Sequence, residues 1–132
     1  MPKSPCLRRG ASRRRQPTRP PGTVISIEQV DKALAAGAKF IACPGFSKKI
    51  VEHCIALGVP VVPGCSGPSD MEAAMELGLD VVKFFPAEQS GGVEYLKAVS
   101  GPYPSLKIMP SGGINAQNIN EYLSRKNVIA CG

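Results

Sequence analysis

Lys83 stands in the stretch Val81-Val82-Lys83-Phe84-Phe85-Pro86-Ala87, where an amine is bracketed by two valines and two phenylalanines. Branched and aromatic residues closed by a proline predict a β-strand. Alternate side chains of a strand share a face, so Val81, Lys83 and Phe85 point one way and Val82 and Phe84 the other. In a parallel sheet both faces are covered, and Lys83 is then expected inside the protein. Burial disfavours the ammonium form of a lysine, and a neutral amine attacks carbonyl carbon, the first step of Schiff-base chemistry. A lysine near a strand end can also lay its stem on apolar surface and extend its amine to water, and the stretch alone leaves both open. A second candidate is Pro110-Ser111-Gly112-Gly113, which ends another apolar run and precedes a helix expected to start near Asn115. Two glycines at a strand-to-helix turn present backbone N–H groups to an anion, although the same pair also makes an ordinary tight turn.

The elements that must hold these residues recur along the chain. Ala38–Gly45, Val59–Gly64 and Leu79–Pro86 are apolar runs about 20 residues apart, each closed by proline or Pro-Gly, and Leu106–Pro110 and Asn127–Cys131 follow. Helical patterns fill the gaps. Ser26 with Gln29 makes a capping box before Ile27, Val30 and Leu34, and Ser69 with Glu72 makes another before Met71, Ala74 and Met75. Ser47 caps a segment carrying Ile50, Val51, Cys54 and Ile55, and Gly37, Gly58 and Gly78 stand where C-terminal caps belong. Val93, Leu96 and Val99 mark a fourth helix, and Ile119, Tyr122 and Leu123 a fifth. Strands alternating with amphipathic helices predict an α/β fold of βαβ units on a parallel sheet, and the tight period favours a closed (β/α) barrel. In such barrels the chemistry collects at the C-terminal ends of the strands, where Lys83 and Ser111 fall.

Composition narrows the classes. The 132 residues make one domain with 43% hydrophobic and 20% charged side chains, and no apolar run approaches the roughly 20 residues of a membrane span. The net charge of +6 belongs to residues 1–21, which carry seven basic and no acidic side chains; the remaining nine basic and ten acidic residues leave the body at −1. Residues 1–21, rich in Arg, Pro and Ser, cannot bury enough apolar surface to order, so a disordered basic tail and a folded body over 22–132 are expected. For the tail a nucleic-acid or anionic-surface arm, an organelle transit peptide and a non-native leader are all open. Cys6, Cys43, Cys54, Cys65 and Cys131 include no C-x-x-C pair, and with the single His53 they form no metal-ligand pattern. Free thiols in a reducing cytoplasm are expected, with Cys43 and Cys65 as small core residues and His53 as a surface or packing residue.

Gly22-Thr23-Val24, Val62-Pro63-Gly64, Val82-Lys83-Phe84-Phe85-Pro86-Ala87-Glu88, Gly91-Gly92 and Pro110-Ser111-Gly112-Gly113-Ile114 together resemble the bacterial 2-keto-3-deoxy-6-phosphogluconate aldolases. The resemblance covers Gly22 to Gly132 and is most specific at the lysine stretch. It implies a class I, Schiff-base aldolase on a (β/α)8 barrel, without cofactor or metal, taking a phosphorylated keto sugar acid or 4-hydroxy-2-oxoglutarate and releasing pyruvate. It implies Lys83 as the Schiff-base lysine, Phe85 packed beside the substrate, Thr23 on the keto-acid carboxylate, Ser111 as a hydroxyl where the family usually has threonine, and Gly112 and Gly113 in the phosphate cradle. It further implies a homo-oligomer, a trimer. The family's first two strands and most of the third, with the proton-shuttling glutamate and a carboxylate-gripping arginine, have no counterpart here, and the chain stops inside the last strand's motif. An incomplete barrel of five strands and the stub of one more is therefore expected, with impaired cleavage. The alternative from another class is a non-catalytic, anion-binding half-barrel with a nucleic-acid-binding basic tail.

Overall fold

The computed structural model describes Val24 to Gly132; residues 1–23, which include the basic tail and Thr23, lie outside the described residues. Strands and helices alternate along the chain. Helix α1 (Ile27–Ala35) leads to β1 (Ile41–Ala42), α2 (Lys48–Ala56), β2 (Val61–Val62) and β3 (Gly64–Cys65). Then follow α3 (Pro68–Glu76), β4 (Val81–Phe84), the single turn α4 (Ala87–Ser90), α5 (Gly92–Ser100), β5 (Lys107–Pro110) and α6 (Ile119–Leu123). All strand pairs are parallel, in the order β1-β2 and β3-β4-β5. β2 and β3 are one run interrupted at the buried Pro63, whose carbonyl accepts from the Lys83 N–H at 2.8 Å. On the far side of β5, Ile108 bridges Val128 in parallel, and Gly132 N–H donates to the Pro110 carbonyl at 2.8 Å. The last residues thus run beside β5 without forming a regular strand. Among the described residues the strands form an open parallel array, which is the α/β class expected, and β1 has a neighbour on one side only.

Local chemistry sets the helix ends. Ser26 Oγ accepts from Gln29 N–H at 3.2 Å, and Gln29 Oε1 reaches back to the Ile25 N–H at 2.7 Å, so the box closes one residue earlier than its usual form. Ser47 Oγ accepts from Ile50 N–H at 3.5 Å. The box expected from Ser69 and Glu72 does not form. Pro68 takes the first helical position, where its fixed φ and missing N–H are tolerated, so the helix starts earlier with Gly67 as its cap. Asp70 instead accepts from the Ser66 N–H at 3.3 Å. Gly37, Gly58 and Gly78 adopt φ of 98°, 70° and 85° just past α1, α2 and α3, the left-handed termination that glycine permits.

The core lies between the strands and these helices. Val82, Phe84, Ile108, Leu96, Met71 and Tyr122 are buried in one cluster, and Val24, Val30, Ile41, Val51, Cys54 and Val61 in a second. Phe46 and Leu79 touch both. Each large apolar side chain buried this way stabilises the fold by roughly 1.5–3 kcal/mol. Phe84 and Tyr95 stack with ring centroids 6.0 Å apart.

Candidate active site

Burial along β4 alternates as the period-2 pattern requires. Val82 and Phe84 are fully buried against the helices, whereas Val81 and Lys83 on the opposite face are half-buried, as is Phe85 just beyond. The expectation that Lys83 is buried is therefore corrected. Its face of the sheet is only partly covered among the described residues, because the strands form an open array instead of closing around it. The Lys83 Nζ sits 5.1 Å from the centre of the Phe85 ring, within cation–π range, so Phe85 is the aromatic floor beneath the amine. Among the described residues the sole ion pair joins His53 to Asp31, and no carboxylate is paired with Lys83.

Register decides the other neighbours of the amine. Lys83 is paired with Gly64 on β3 and with Met109 on β5. Gly64 carries no side chain on this face, and Met109 is half-buried. Ser111 lies two residues beyond Met109 on the same face, about 7 Å farther along the strand direction. The Ser111 N–H donates to the Phe84 carbonyl at 2.9 Å, and the Ser111 carbonyl accepts from Ala87 N–H at 2.8 Å. Glu88 N–H donates to the Gly112 carbonyl at 3.1 Å. The turn after Lys83 and the loop after β5 are thus stitched together, and Lys83, Phe85, Ser111, Gly112 and Gly113 gather at the C-terminal ends of β4 and β5.

Both glycines earn their place by conformation. Gly112 has φ 104° and Gly113 φ 77°, and a Cβ on Gly112 would meet Ala87 N and Pro86 Cα at 3.1 Å. Among the described residues neither glycine N–H meets an acceptor, so both remain free to bind an anion. The helix expected near Asn115 begins later, at Ile119, because Asn115 Oδ1 accepts from the N–H groups of Gln117 and Asn118 and holds a turn there. Asn118 Nδ2 then donates to the Gly113 carbonyl at 3.0 Å and fixes the loop's far side. The free N–H groups of this turn are accordingly loop amides, not those of a long helix.

The remaining candidates fall outside this cluster. Cys43 and Cys65 are buried core residues as expected, and burial pushes their thiols up to about 11 and about 12. For Cys43 the neighbouring Cys54 adds to the rise and the positive charge of Lys83 opposes it. His53 is a partly exposed packing residue that joins α2 to α1 through Asp31 Oδ1 at 2.8 Å. Glu28 is exposed on α1, and the Glu88 carboxylate accepts from the Tyr122 hydroxyl. Gly64, Met109 and Tyr122 were not among the residues singled out for the site; only the pairing of distant strands and helices reveals them.

Known proteins resemble this chain in sequence and in fold. The profile of the KDPG and KHG aldolase family matches residues 12–132, where KDPG is 2-keto-3-deoxy-6-phosphogluconate. The 2-dehydro-3-deoxy-phosphogluconate aldolase of Haemophilus influenzae is 50% identical over 111 residues, which cover 84% of this chain and 52% of that protein. The KDPG aldolase of Legionella pneumophila, solved with pyruvate captured as a covalent carbinolamine intermediate, superimposes with a TM-score of 0.78 at 37% identity, covering 83% of this chain and 53% of that one. The KDPG aldolase of Zymomonas mobilis, solved with 3-phosphoglycerate, gives a TM-score of 0.80 at 32% identity, with 83% and 53% covered. The chain spans about half the length of the curated relatives it matches. By the family profile and the fold alike, the chain belongs to the KDPG and KHG aldolase family.

Proposed function

We propose that Lys83 is the Schiff-base lysine of a class I aldolase site that takes KDPG or a related 2-keto-4-hydroxy acid. The observation that carries this is the amine of Lys83 over Phe85, one strand from the Ser111–Gly113 loop with its free amides. The Lys83 amine adds to the C2 ketone, and the carbinolamine loses water to give an iminium. Removal of the C4 hydroxyl proton then breaks the C3–C4 bond, its electron pair passing into the iminium to form an enamine. Protonation at C3 and hydrolysis return the lysine and release pyruvate, the aldehyde product being glyceraldehyde 3-phosphate. Phe85 packs beside the bound keto acid, the Ser111 hydroxyl hydrogen-bonds to it, and Gly112 and Gly113 donate to the phosphate. Thr23 is assigned to the substrate carboxylate. Residues 22–132 act as part of a (β/α)8 barrel with residues 1–21 as a separate basic arm, and the family suggests a homo-oligomer. The family's proton-shuttling glutamate finds no match in these 132 residues, so cleavage by them alone is expected to be impaired.

Borohydride reduction in the presence of pyruvate tests the assignment, because only an imine leaves a stable adduct. A reduced adduct on Lys83 is expected. The half-exposure of Lys83 favours a second reading, a non-catalytic anion-binding module. Phosphate binding at Gly112 and Gly113 without any pyruvate adduct would establish that reading instead.

A further inference from the structure

Glu88 sits in a niche formed by Tyr122, Gly92 and Gly113, the last of which belongs to the loop with the free amides. The Tyr122 hydroxyl on α6 donates to its carboxylate. The Gly92 backbone comes so close that a Cβ there would lie 3.1 Å from Glu88 Oε2, and a Cβ on Gly113 would lie 2.8 Å from Glu88 Cβ and Cγ. Glu88 is exposed as a whole, yet its carboxylate turns inward to this partner. The backbone of the same residue donates to the Gly112 carbonyl at 3.1 Å. Glu88 therefore touches the turn that leaves the Lys83 strand, the loop that follows β5, and the helix after that loop. Tyr122 is fully buried, and burial together with its bond to Glu88 pushes its phenol well above the ordinary range, which keeps the proton in place to donate. A bond between a buried phenol and a carboxylate is stronger than a neutral one, so the tie holds its two ends firmly.

We propose that the Tyr122–Glu88 pair is a positioning device: it fixes the Ser111–Gly113 loop against the turn after Lys83 and so sets the distance between the amine and the anionic end of the substrate. This rests on the aldolase assignment above. Neither residue touches the reacting atoms. The pair instead holds two loops that do, and a span of fixed length lets the site favour a keto acid with its phosphate at the matching distance.

Tyr122→Phe, which removes the hydroxyl and leaves the ring packed, is the direct test, with Glu88→Gln as the conservative partner that keeps an acceptor oxygen. Two readouts are compared in the full chain: inorganic phosphate titration followed at the Gly112 and Gly113 amides, and pyruvate trapping on Lys83, which needs no phosphate site. Tyr122→Phe is expected to weaken phosphate binding about tenfold, the order of one charged hydrogen bond, while trapping stays as in the unsubstituted protein. Glu88→Gln is expected to retain most of the phosphate affinity. Phosphate binding unchanged by Tyr122→Phe, loss of both readouts in parallel, or no phosphate shift at these amides in the unsubstituted protein would each overturn the positioning role. Absence of trapping in the unsubstituted protein would overturn the aldolase assignment instead, and the phosphate titration would still decide the tie.

Discussion

Gly64 and Lys83 are register partners on neighbouring parallel strands, and Gly64 has no room for a side chain. A Cβ at this position would lie 1.9 Å from the Pro44 carbonyl oxygen and 2.3 Å from its carbon. The contact is backbone against backbone, so nothing flexible can move aside. The loop after β1 therefore closes over the strand next to the amine, and glycine is the residue that allows it.

Gly64→Ala is accordingly expected to destabilise the protein by about 1–3 kcal/mol, the range for overpacking a close contact. Urea unfolding of the substituted and parent chains measures this. The same substitution should reduce pyruvate trapping, because shifting β3 moves the partner strand that carries Lys83. A stability change below about 0.5 kcal/mol, the level of an ordinary surface substitution, would show that the loop relaxes freely.

Lys83→Ala should abolish the borohydride-trapped pyruvate adduct, while leaving the fold intact because Lys83 is only half-buried. Peptide mass mapping of the parent protein should place the adduct on Lys83. Lys107, exposed at the start of β5, serves as the internal control. An adduct on Lys107 instead would move the nucleophile to the other end of the strands.

Aldol cleavage of KDPG by this chain is expected to fall at least about 10²-fold below that of a full-length relative, the lower end of what general acid–base help contributes. Two carboxylates that could be considered for the family's proton-shuttling role are otherwise placed among the described residues. Glu28 is exposed on α1, and Glu88 is held by Tyr122. A coupled lactate dehydrogenase assay measures the pyruvate released. Full activity that disappears in Lys83→Ala would show that another group moves the protons.

Burial raises the Cys43 thiol from 9.0 to about 11. The folded state therefore keeps a proton that the unfolded chain releases, so the stabilising contribution is complete below pH 9 and is lost as pH rises through about 11. Stability measured between pH 8 and 11 should decline, and the decline should be shallower in Cys43→Ala. Native Cys43 and Cys65 should also react slowly with iodoacetamide at pH 8, since the thiolate is the nucleophile. An equal pH slope in parent and variant would show that the Cys43 thiol is accessible to ionisation.

Features that depend on a few neighbouring residues were legible in the sequence. The period of two places Val82 and Phe84 in the core and Lys83 and Phe85 on the other face, because alternation is a property of any extended backbone. Ser26, Ser47 and the glycines after three helices mark helix ends because capping is settled within four residues. Where two local signals competed, the sequence misled: Pro68 at the first helical position displaced the Ser69 box, and the Asn115 turn delayed α6. Three things needed the tertiary structure: how far Lys83 is covered, which residues flank it, and what holds the loop at Gly112 and Gly113. Lys83 meets Gly64 and Met109 only through strand pairing, Gly64 meets Pro44 only because a distant loop folds over it, and Glu88 finds Tyr122 34 residues away. Local sequence selects backbone conformation, but contacts between segments far apart along the chain depend on how all the segments pack together.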